Sequence, residues 1–397
     1  DSRKALTPVS SEAGVIFYTF LEATMAKEGI SKLPVMIPNE YALVIYQLLA
    51  EVNYKVGYAS SQYNRSFMKK YIEDLFYLKE SVHSTRVEGI QVTFTDMVEE
   101  RGEKNPSWER IEVLNYQEAL RQDASSIKTG YPITTRLIKE LHRTLMENAR
   151  GSNASGGEFR KIQNFIGPSN RIEDAVYIPI GANEIDEYME NLDFFMNGIP
   201  HSSFRKFNKT DGFVFDEECD PIIKAAVMHA QFESIHPFLD GNGRLGRILI
   251  ALIAIKEDLE DVPVFFVSEE LEKERARYYA MLNGVRGDNP DWYSWIKFFI
   301  TACGRMADSL LGKLKAVEEL ASNGLKKCSL ESEKNIWLYT FSDPYTTAAR
   351  VAENLHLAPG TARKGLKALS DAGLLYTDET AIRNRKYRNY DLMRILN

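Results

Sequence analysis

Apolar residues recur at the spacing of an amphipathic α-helix through most of this chain. Few helix-breaking residues occur between Tyr41 and Tyr58, where the predicted apolar stripe consists of Leu43, Tyr46, Leu49 and Val52. A second helix is predicted from about Ser66 to Glu88, with a stripe formed by Phe67, Tyr71, Leu75 and Leu78. Gly89 follows, and glycine commonly ends a helix by adopting the left-handed conformation. The same spacing predicts further helices at 108–123, 134–148, 183–197, 243–257, 269–283 and 291–320.

A proline marks the start of one more predicted helix. The fixed φ of Pro221 suits a first helical turn, and Asp220 stands where an N-cap is expected. Ile223, Val227 and Ala230 then continue the helical pattern. The predicted fold class is therefore mainly α.

Two segments depart from the helical pattern. Residues 156–180 combine glycines and Pro168 with the β-favouring run Val176-Tyr177-Ile178, which predicts a short β-hairpin at 160–180. Residues 321–330 contain Gly324 and begin with a polar stretch without periodicity, so we interpret them as a linker. The predicted parts are an N-terminal helical region at 1–129, a helical core at 130–320, the linker at 321–330 and a C-terminal domain at 331–397.

The C-terminal region differs from the rest of the chain in composition and in pattern. Between residues 344 and 397 nine basic residues stand against five acidic ones, a local net charge of +4. Helices are predicted at 331–341, 346–355 and 361–371, and two β-favouring pieces follow around a basic turn. This order resembles a winged helix-turn-helix, whose recognition helix would expose Thr361, Arg363, Lys364 and Lys367. Contact with DNA and docking of a protein both remain open for this domain.

Composition narrows the class of protein further. At roughly 150 residues per domain, 397 residues correspond to two or three domains, and a net charge of −7 argues against bulk coating of nucleic acid. Cys219, Cys303 and Cys328 are odd in number and widely spaced, so we expect a reducing compartment, the cytoplasm, and no zinc site. No apolar run reaches the roughly 18 residues of a membrane span, so no membrane contact is expected.

Residues 236–247, HPFLDGNGRLGR, carry the clearest chemical signal. Small residues at 241–243 precede a strong helix, where backbone N–H groups and the positive helix end can bind an anion. Arg244 and Arg247 are three positions apart and share one helix face, which suits a phosphate clamp. Asp240 offers a hard oxygen ligand for Mg²⁺, and His236 is a titratable base. Together these groups predict transfer of part of a nucleoside triphosphate.

Two other phosphate-binding motifs do not fit this segment. Gly241, Gly243 and Gly246 match G-x-G-x-x-G, but that dinucleotide fingerprint must follow a β-strand, and residues 225–235 are predicted to be helical. The P-loop string G-x-x-x-x-G-K-[ST] does not occur in the sequence.

The segment resembles the signature of the Fic family, H-x-F-x-[DE]-G-N-G-R-x-x-R. All eight fixed positions of the twelve are matched, from His236 through Phe238 to Arg247. The resemblance implies a helical Fic core at about 130–300 with a β-hairpin flap at 160–180. It also implies an enzyme that transfers AMP from ATP to a Ser, Thr or Tyr hydroxyl of a protein and uses Mg²⁺. The flap would dock that protein by strand pairing.

The resemblance also implies a role for each residue of the motif. His236 would be the general base, Asp240 would hold Mg²⁺, and Phe238 would anchor the loop in the core. Arg244 and Arg247 would bind the β- and γ-phosphates respectively. The implied nucleotide-binding set is Gly241, Asn242, Gly243, Arg244, Leu245, Gly246, Arg247, Tyr278 and Tyr279, the two tyrosines lining an adenine pocket.

A second pattern lies upstream, at residues 84–89. The string STRVEG resembles the family's inhibitory motif [ST]-x-x-x-E-[GN], in which Ser84 and Glu88 share a helix face. A carboxylate in the last turn of a helix is disfavoured by up to about 1 kcal/mol unless a cation meets it. The implied cation is Arg247, whose pairing with Glu88 would deny the γ-phosphate its anchor. The alternative is an exposed glutamate without a partner.

Three other functions remain open at this level. The same site could remove AMP with Glu88 orienting a water molecule, or it could transfer another phosphate-containing group. A DNA-binding regulator with a vestigial Fic core is a third alternative, although the motif is complete. The oligomeric state is also open, with a homodimer among the alternatives.

Overall fold

The structure of the protein is a computed structural model. It describes residues 26–101, 105–149, 156–169, 171–208, 210–259, 265–377 and 385–397. Within these residues α-helices dominate and the strands are short, so the prediction of a mainly α fold is confirmed. No helix in these ranges is both long enough and apolar enough to cross a bilayer.

The helices follow the chain from the N-terminal region to the last residues. They are α1 (Asn39–Arg65), α2 (Lys69–Val87), α3 (Phe94–Glu99), α4 (Trp108–Gln122), α5 (Ala124–Lys128), α6 (Thr135–Leu145), α7 (Ile185–Met196), α8 (Pro221–Ile235), α9 (Asn242–Lys256), α10 (Ser268–Lys273), α11 (Arg275–Gly284), α12 (Trp292–Leu325), α13 (Glu331–Tyr339), α14 (Ala348–Asn354), α15 (Pro359–Asp371) and α16 (Tyr390–Leu396).

The strands form three small sheets. β1 (Lys27–Glu28) pairs in parallel with β3 (Tyr177–Ile178), and β2 (Val35–Ile37) pairs antiparallel with β4 (Phe213–Phe215). In the C-terminal region β5 (Tyr345–Thr347), β6 (Tyr376–Thr377) and β7 (Lys386–Arg388) form an antiparallel sheet in the order β5-β7-β6.

The core is built around α8 and α9, which pack against each other at its centre. After Pro221 every residue of α8 is buried, and the apolar run Ile248 to Ile255 of α9 is buried throughout. The long helix α12 covers one side of this pair and packs along α1. The loop between α8 and α9, which carries the predicted chemistry, is therefore held between two buried helices.

The predicted helix starts and stops are largely present. Asp220 caps α8, its Oδ1 accepting from the Ile222 N–H at 2.9 Å, and Gly89 follows α2 with φ of +93°. The buried stripe of α1 differs from the prediction, since Leu43 is 65% exposed and Tyr46 is 39% exposed. Leu49 and Val52 are buried as predicted and share the buried side with Ala42, Ile45 and Val56. Leu43 and Tyr46 lie one position off that stripe, which places them about 100° around the helix.

Two predicted irregular segments turn out differently. The predicted hairpin at 160–180 has one antiparallel bridge, Ile166 with Tyr177, and the strand partner of β3 is β1. The predicted linker at 321–330 is helical up to Leu325, and Gly324 leaves room for the Trp337 ring to pack against α12. An added β-carbon at Gly324 would overlap with that ring.

The described residues of the C-terminal region, 331–377 and 385–397, form a helix, a strand, two helices, two strands and a final helix. The predicted helix at 346–355 begins only at Ala348, since Tyr345–Thr347 form β5 and Thr347 caps α14. Arg363, Lys364 and Lys367 lie on the exposed side of α15, whereas Ala362, Gly365, Leu366 and Leu369 are buried. Assignment of the C-terminal region as a winged helix-turn-helix remains a prediction, as does its contact with DNA.

Candidate active site at the start of helix α9

A short loop joins α8 to α9 and presents most of the predicted site. It contains two left-handed residues, His236 with φ of +49° and Gly241 with φ of +78°. Asn242 closes the loop, because its Oδ1 accepts from the Phe238 N–H and its Nδ2 donates to the Phe238 carbonyl, both at 2.9 Å. Both polar atoms of the Asn242 side chain are therefore engaged in hydrogen bonds within the loop.

His142 of α6, which was not predicted, supports the loop by packing against Phe238. The His142 ring stacks on the buried ring of Phe238, with centroids 3.7 Å apart. Its Nδ1 accepts from the Gly157 N–H at 2.8 Å, so its Nε2 carries the proton and donates to the Asp240 carbonyl at 3.0 Å. Burial is the main reason that the pKa of His142 falls to about 4, which keeps the ring neutral. No sequence spacing indicates this role, since His142 is almost a hundred residues from the loop.

Arg160 is a second support that the sequence does not reveal. Its Nε donates to the His236 carbonyl at 3.0 Å, and its backbone N–H donates to the Pro237 carbonyl at 2.8 Å. Its Nη2 donates to the Ile180 carbonyl at 2.5 Å. One buried guanidinium thus fixes the loop to both ends of the segment 160–180.

His236 lies at the boundary between two open cavities. One, of about 490 Å³, is lined by the start of α9 together with Glu88 and Asp240. The other, of about 520 Å³, is lined by residues of the segment 163–169. The imidazole therefore borders both cavities.

The environment of His236 keeps the ring neutral. Burial and the guanidinium of Arg286 lower the pKa of His236 to about 4. Nδ1 lies 3.3 Å from the Glu233 carbonyl, which favours the tautomer with the proton on Nδ1. Nε2 is then free to accept a proton, as a general base requires.

Asp240 stands at the rim of the cavity at the start of α9. Its side chain is 65% exposed, and its Oδ1 accepts from the Gly241 N–H at 2.6 Å. No cluster of three His, Cys, Asp or Glu side chains suited to a metal occurs in the described parts of the chain. A single exposed carboxylate beside the glycine turn nevertheless fits Mg²⁺, which usually takes one or two carboxylates together with phosphate oxygens.

The two arginines of the motif are both buried and both paired with carboxylates. Arg244 Nη1 forms an ion pair with Glu112 of α4, and each side chain is 4% exposed. Arg244 Nη2 lies 3.5 Å from Asp240 Oδ1. Glu112 lines the cavity at the start of α9 and was not predicted, since nothing in the sequence of α4 links it to the motif.

Arg247 is held by the end of α2. Its Nη2 lies 2.6 Å from Glu88 Oε1 and donates to the Ser84 carbonyl at 2.9 Å. Its Nε donates to Ser84 Oγ at 2.8 Å. The Glu88 side chain is one-third exposed and lines the cavity at the start of α9. The structure thus brings together Ser84, Glu88 and Arg247, three residues that the sequence analysis singled out from two separate motifs.

The remaining predicted nucleotide-binding residues are not brought together at the cavity. Tyr278 is fully buried, and its hydroxyl lies 2.8 Å from His229 Nε2. Tyr279 is 39% exposed and donates to the Val87 carbonyl at 3.1 Å, at the end of α2. Leu245 is a core residue, and Gly246 packs closely against α8. Of the two tyrosines, only Tyr279 has a ring surface open to a ligand.

Comparison with known families decides where this site belongs. The sequence profile described as Fic/DOC family matches residues 132–254, which include the loop and α9. The profile described as Fic/DOC family N-terminal matches residues 58–123, which include α2. The chain belongs to the Fic family.

Curated relatives of this Fic protein carry the name protein adenylyltransferase Fic. The relative from Drosophila grimshawi is 25% identical over 174 residues, which are 44% of this chain and 30% of the relative. The relative from Drosophila melanogaster is 27% identical over the same length, 29% of that protein. The match therefore spans less than a third of these relatives.

Solved structures of Fic proteins share the fold. A Fic family protein from Desulfovibrio desulfuricans G20 superposes with a TM-score of 0.53 at 17% identity, covering 90% of this chain and 98% of that one. A Fic domain-containing signaling protein from Bacteroides thetaiotaomicron gives a TM-score of 0.50 at 18% identity, covering 66% and 97%. These similarities show that the helical architecture is that of Fic proteins.

Proposed function

We propose that this Fic protein transfers AMP from ATP to a Ser, Thr or Tyr hydroxyl of a protein. The observation that carries the proposal is the neutral His236 ring between a cavity lined by the α9 turn and an open groove along 163–169. The names of the curated relatives support the same reaction.

The base accepts one proton while one bond to phosphorus forms and another breaks. His236 Nε2 takes the proton of the target hydroxyl, and the oxygen attacks the α-phosphorus of ATP. The bond between the α-phosphorus and the oxygen that bridges it to the β-phosphate then breaks. Pyrophosphate leaves, and AMP remains on the target through a phosphodiester.

The phosphates would lie at the start of α9. The N–H groups of residues 241–243 and the positive end of this 15-residue helix favour an anion there. Arg244 would contact the β-phosphate side, already oriented by Glu112. Mg²⁺ held by Asp240 would neutralise phosphate charge. Tyr279 is the tyrosine that we assign to the adenine side.

The reaction would be inhibited within the chain. Arg247 is the anchor proposed for the γ-phosphate, and Glu88 and Ser84 of α2 bind the same guanidinium. Since Glu88 and a γ-phosphate cannot occupy that position together, ATP would bind productively only after the end of α2 withdraws.

Labelling with two forms of ATP tests the proposal. Incubation with [α-³²P]ATP and a cell lysate should label protein bands that the lysate alone does not label, and [γ-³²P]ATP should add no label above the kinase background of the lysate. The matched control is His236→Ala, which should add no label. Labelling by the γ-phosphate above the lysate background, or no labelling even by Glu88→Gly, would contradict AMP transfer.

Removal of AMP is the second candidate. The observation that favours it is that the one-third exposed carboxylate of Glu88 lines the same cavity as His236, where it could orient a water molecule. A protein already carrying AMP would separate the two. Glu88→Gly should abolish release of AMP if Glu88 orients water, and should raise AMP transfer if Glu88 inhibits.

A further inference from the structure

The C-terminal region packs on the part of the chain that carries Glu88. We propose that residues 331–397 act as a clamp that holds α2 and α3 in the inhibitory position, so that loosening this region raises activity. The regulatory part of this inference rests on the proposed function. Residues 69–101, which comprise α2, the turn after it and α3, form the clamped segment.

The first group of contacts lies at the end of α3. Arg388 of β7 places Nη2 3.3 Å from Glu99 Oε1, and Lys386 lies 4.0 Å from the same oxygen. Arg101 Nη1 donates to the Ser342 carbonyl at 2.8 Å. Two separate parts of the C-terminal region therefore contact the last residues of the clamped segment, β7 through an ion pair and Ser342 through a hydrogen bond.

The second group of contacts involves the last residues of the chain. The ammonium group of Lys79, buried in the middle of α2, donates to the Leu396 carbonyl. Asn397 Nδ2 donates to Thr95 Oγ1 of α3 at 3.3 Å. Leu392, Met393 and Leu396 are buried, and α16 packs against α12. The final helix thus links the clamped segment to the longest helix of the core.

A shift of the end of α2 is passed on to α3 because the connection is short and is anchored by the buried Val92. Glu88 caps α2, and only four residues separate it from Thr93, the N-cap of α3. Thr93 and Asp96 form a capping box, and Val92 and Phe94 are buried. Withdrawal of the end of α2 from Arg247 therefore requires the contacts of α3 with the C-terminal region to loosen as well.

The clamp shares its task with contacts from the core. Arg86 pairs with Glu272 at 3.0 Å, and Tyr279 donates to the Val87 carbonyl at 3.1 Å. Glu100 is bound by Arg110 of α4 at 2.6 Å. Because these contacts remain when the C-terminal region loosens, removal of the clamp should relieve inhibition only in part.

The test removes the two arginine contacts and follows both motion and activity. The variant combines Arg101→Ala with Arg388→Ala, both on side chains that are partly exposed, and Glu99→Ala tests the same ion pair from its other side. The matched control is Arg394→Ala, since Arg394 is 72% exposed and pairs with Asp391 of its own helix. Thermal unfolding establishes that each variant is folded.

Amide hydrogen exchange in residues 80–99 should rise roughly three- to tenfold in the double variant and stay unchanged in the control. AMP transfer should rise by a similar factor, and it should not rise further in a Glu88→Gly background. Unchanged exchange in the folded double variant would overturn the clamp. Faster exchange without any AMP transfer by Glu88→Gly would instead leave the clamp standing and contradict the proposed reaction.

Discussion

Glu88 and Arg247 meet across the first turn of α9, with Oε1 2.6 Å from Nη2. Gly243 makes this approach feasible, because an added β-carbon there would overlap with Glu88 Oε1 and lie 3.2 Å from Arg247 Nη1. The Arg247 guanidinium also offsets the unfavourable interaction of the Glu88 carboxylate with the C-terminal end of the α2 dipole. The glycine turn proposed to bind phosphate is therefore also the surface on which the end of α2 rests.

Ser84→Ala should raise AMP transfer by a smaller factor than loss of Glu88. The variant removes one hydrogen bond to the Arg247 guanidinium, with a typical net value of about 0.5–1.5 kcal/mol, but leaves the Ser84 carbonyl and Glu88 in place. We expect about a three- to tenfold gain in initial rate at saturating ATP. Thr85→Ala is the matched control, because the buried Thr85 hydroxyl donates to Ser81 within the same helix. Equal gains for both variants would show that a looser α2 suffices, whatever happens at Arg247.

His236→Ala should abolish AMP transfer and leave ATP binding nearly intact. The imidazole is proposed to act on the target hydroxyl, so its contribution arises in the transition state. Calorimetry with ATP in the Glu88→Gly background measures the binding, and Arg247→Ala provides the comparison. Loss of ATP affinity as large as that of Arg247→Ala would contradict the assigned role.

The His236 ring should stay neutral far below the usual pKa of about 6.5. Since burial and Arg286 lower the pKa to about 4, the base is available at pH 7 and remains available down to about pH 5. NMR titration of ¹³C-labelled histidine should show His236 unprotonated at pH 5.5, whereas a free imidazole would be mostly protonated. A titration midpoint near 6.5 would mean that the ring is solvated and less well oriented than the structure indicates.

Arg160→Met should lower the rate of AMP transfer and the thermal stability together. The buried guanidinium donates to carbonyls of the active-site loop and of the segment 160–180. A methionine side chain has no N–H group, so these carbonyls would lose their hydrogen bonds. We expect a loss of about 2–4 kcal/mol in the free energy of unfolding. Arg171→Met is the control, because that side chain is 75% exposed on the same segment. Equal effects of the two variants on stability would refute the positioning role.

The sequence predicts the parts of the site that lie close together along the chain. Residues 236–247 form one loop and one helix turn, so their spacing translates directly into geometry. The pairing of Glu88 with Arg247 is also predicted, but only by combining two motifs through the resemblance. His142, Arg160 and Glu112 could not be predicted, because each reaches the loop from a distant helix or segment by tertiary packing.

The fold shows the same division between local and distant information. Helix ends at Asp220 and Gly89 follow local rules and are predicted well. The buried side of α1 and the helical residues 321–325 depend on what packs against them, α12 in one case and Trp337 in the other. Periodicity within a single segment does not contain that information.

Glu88→Gly is the variant that most directly tests inhibition by the pairing of Glu88 with Arg247. Hydrogen bonds to charged groups contribute about 1.5–3 kcal/mol, so loss of this contact should raise the competent population about ten- to a hundredfold. Arg247→Ala in the same background should cancel the gain, because the freed guanidinium is what binds the γ-phosphate.

The measurement is AMP incorporated per minute from [α-³²P]ATP at saturating Mg²⁺ for wild type, Glu88→Gly and the double variant. We predict a high rate for Glu88→Gly and low rates for the other two. Equal rates for wild type and Glu88→Gly would contradict inhibition by Glu88, and an active double variant would contradict the role given to Arg247.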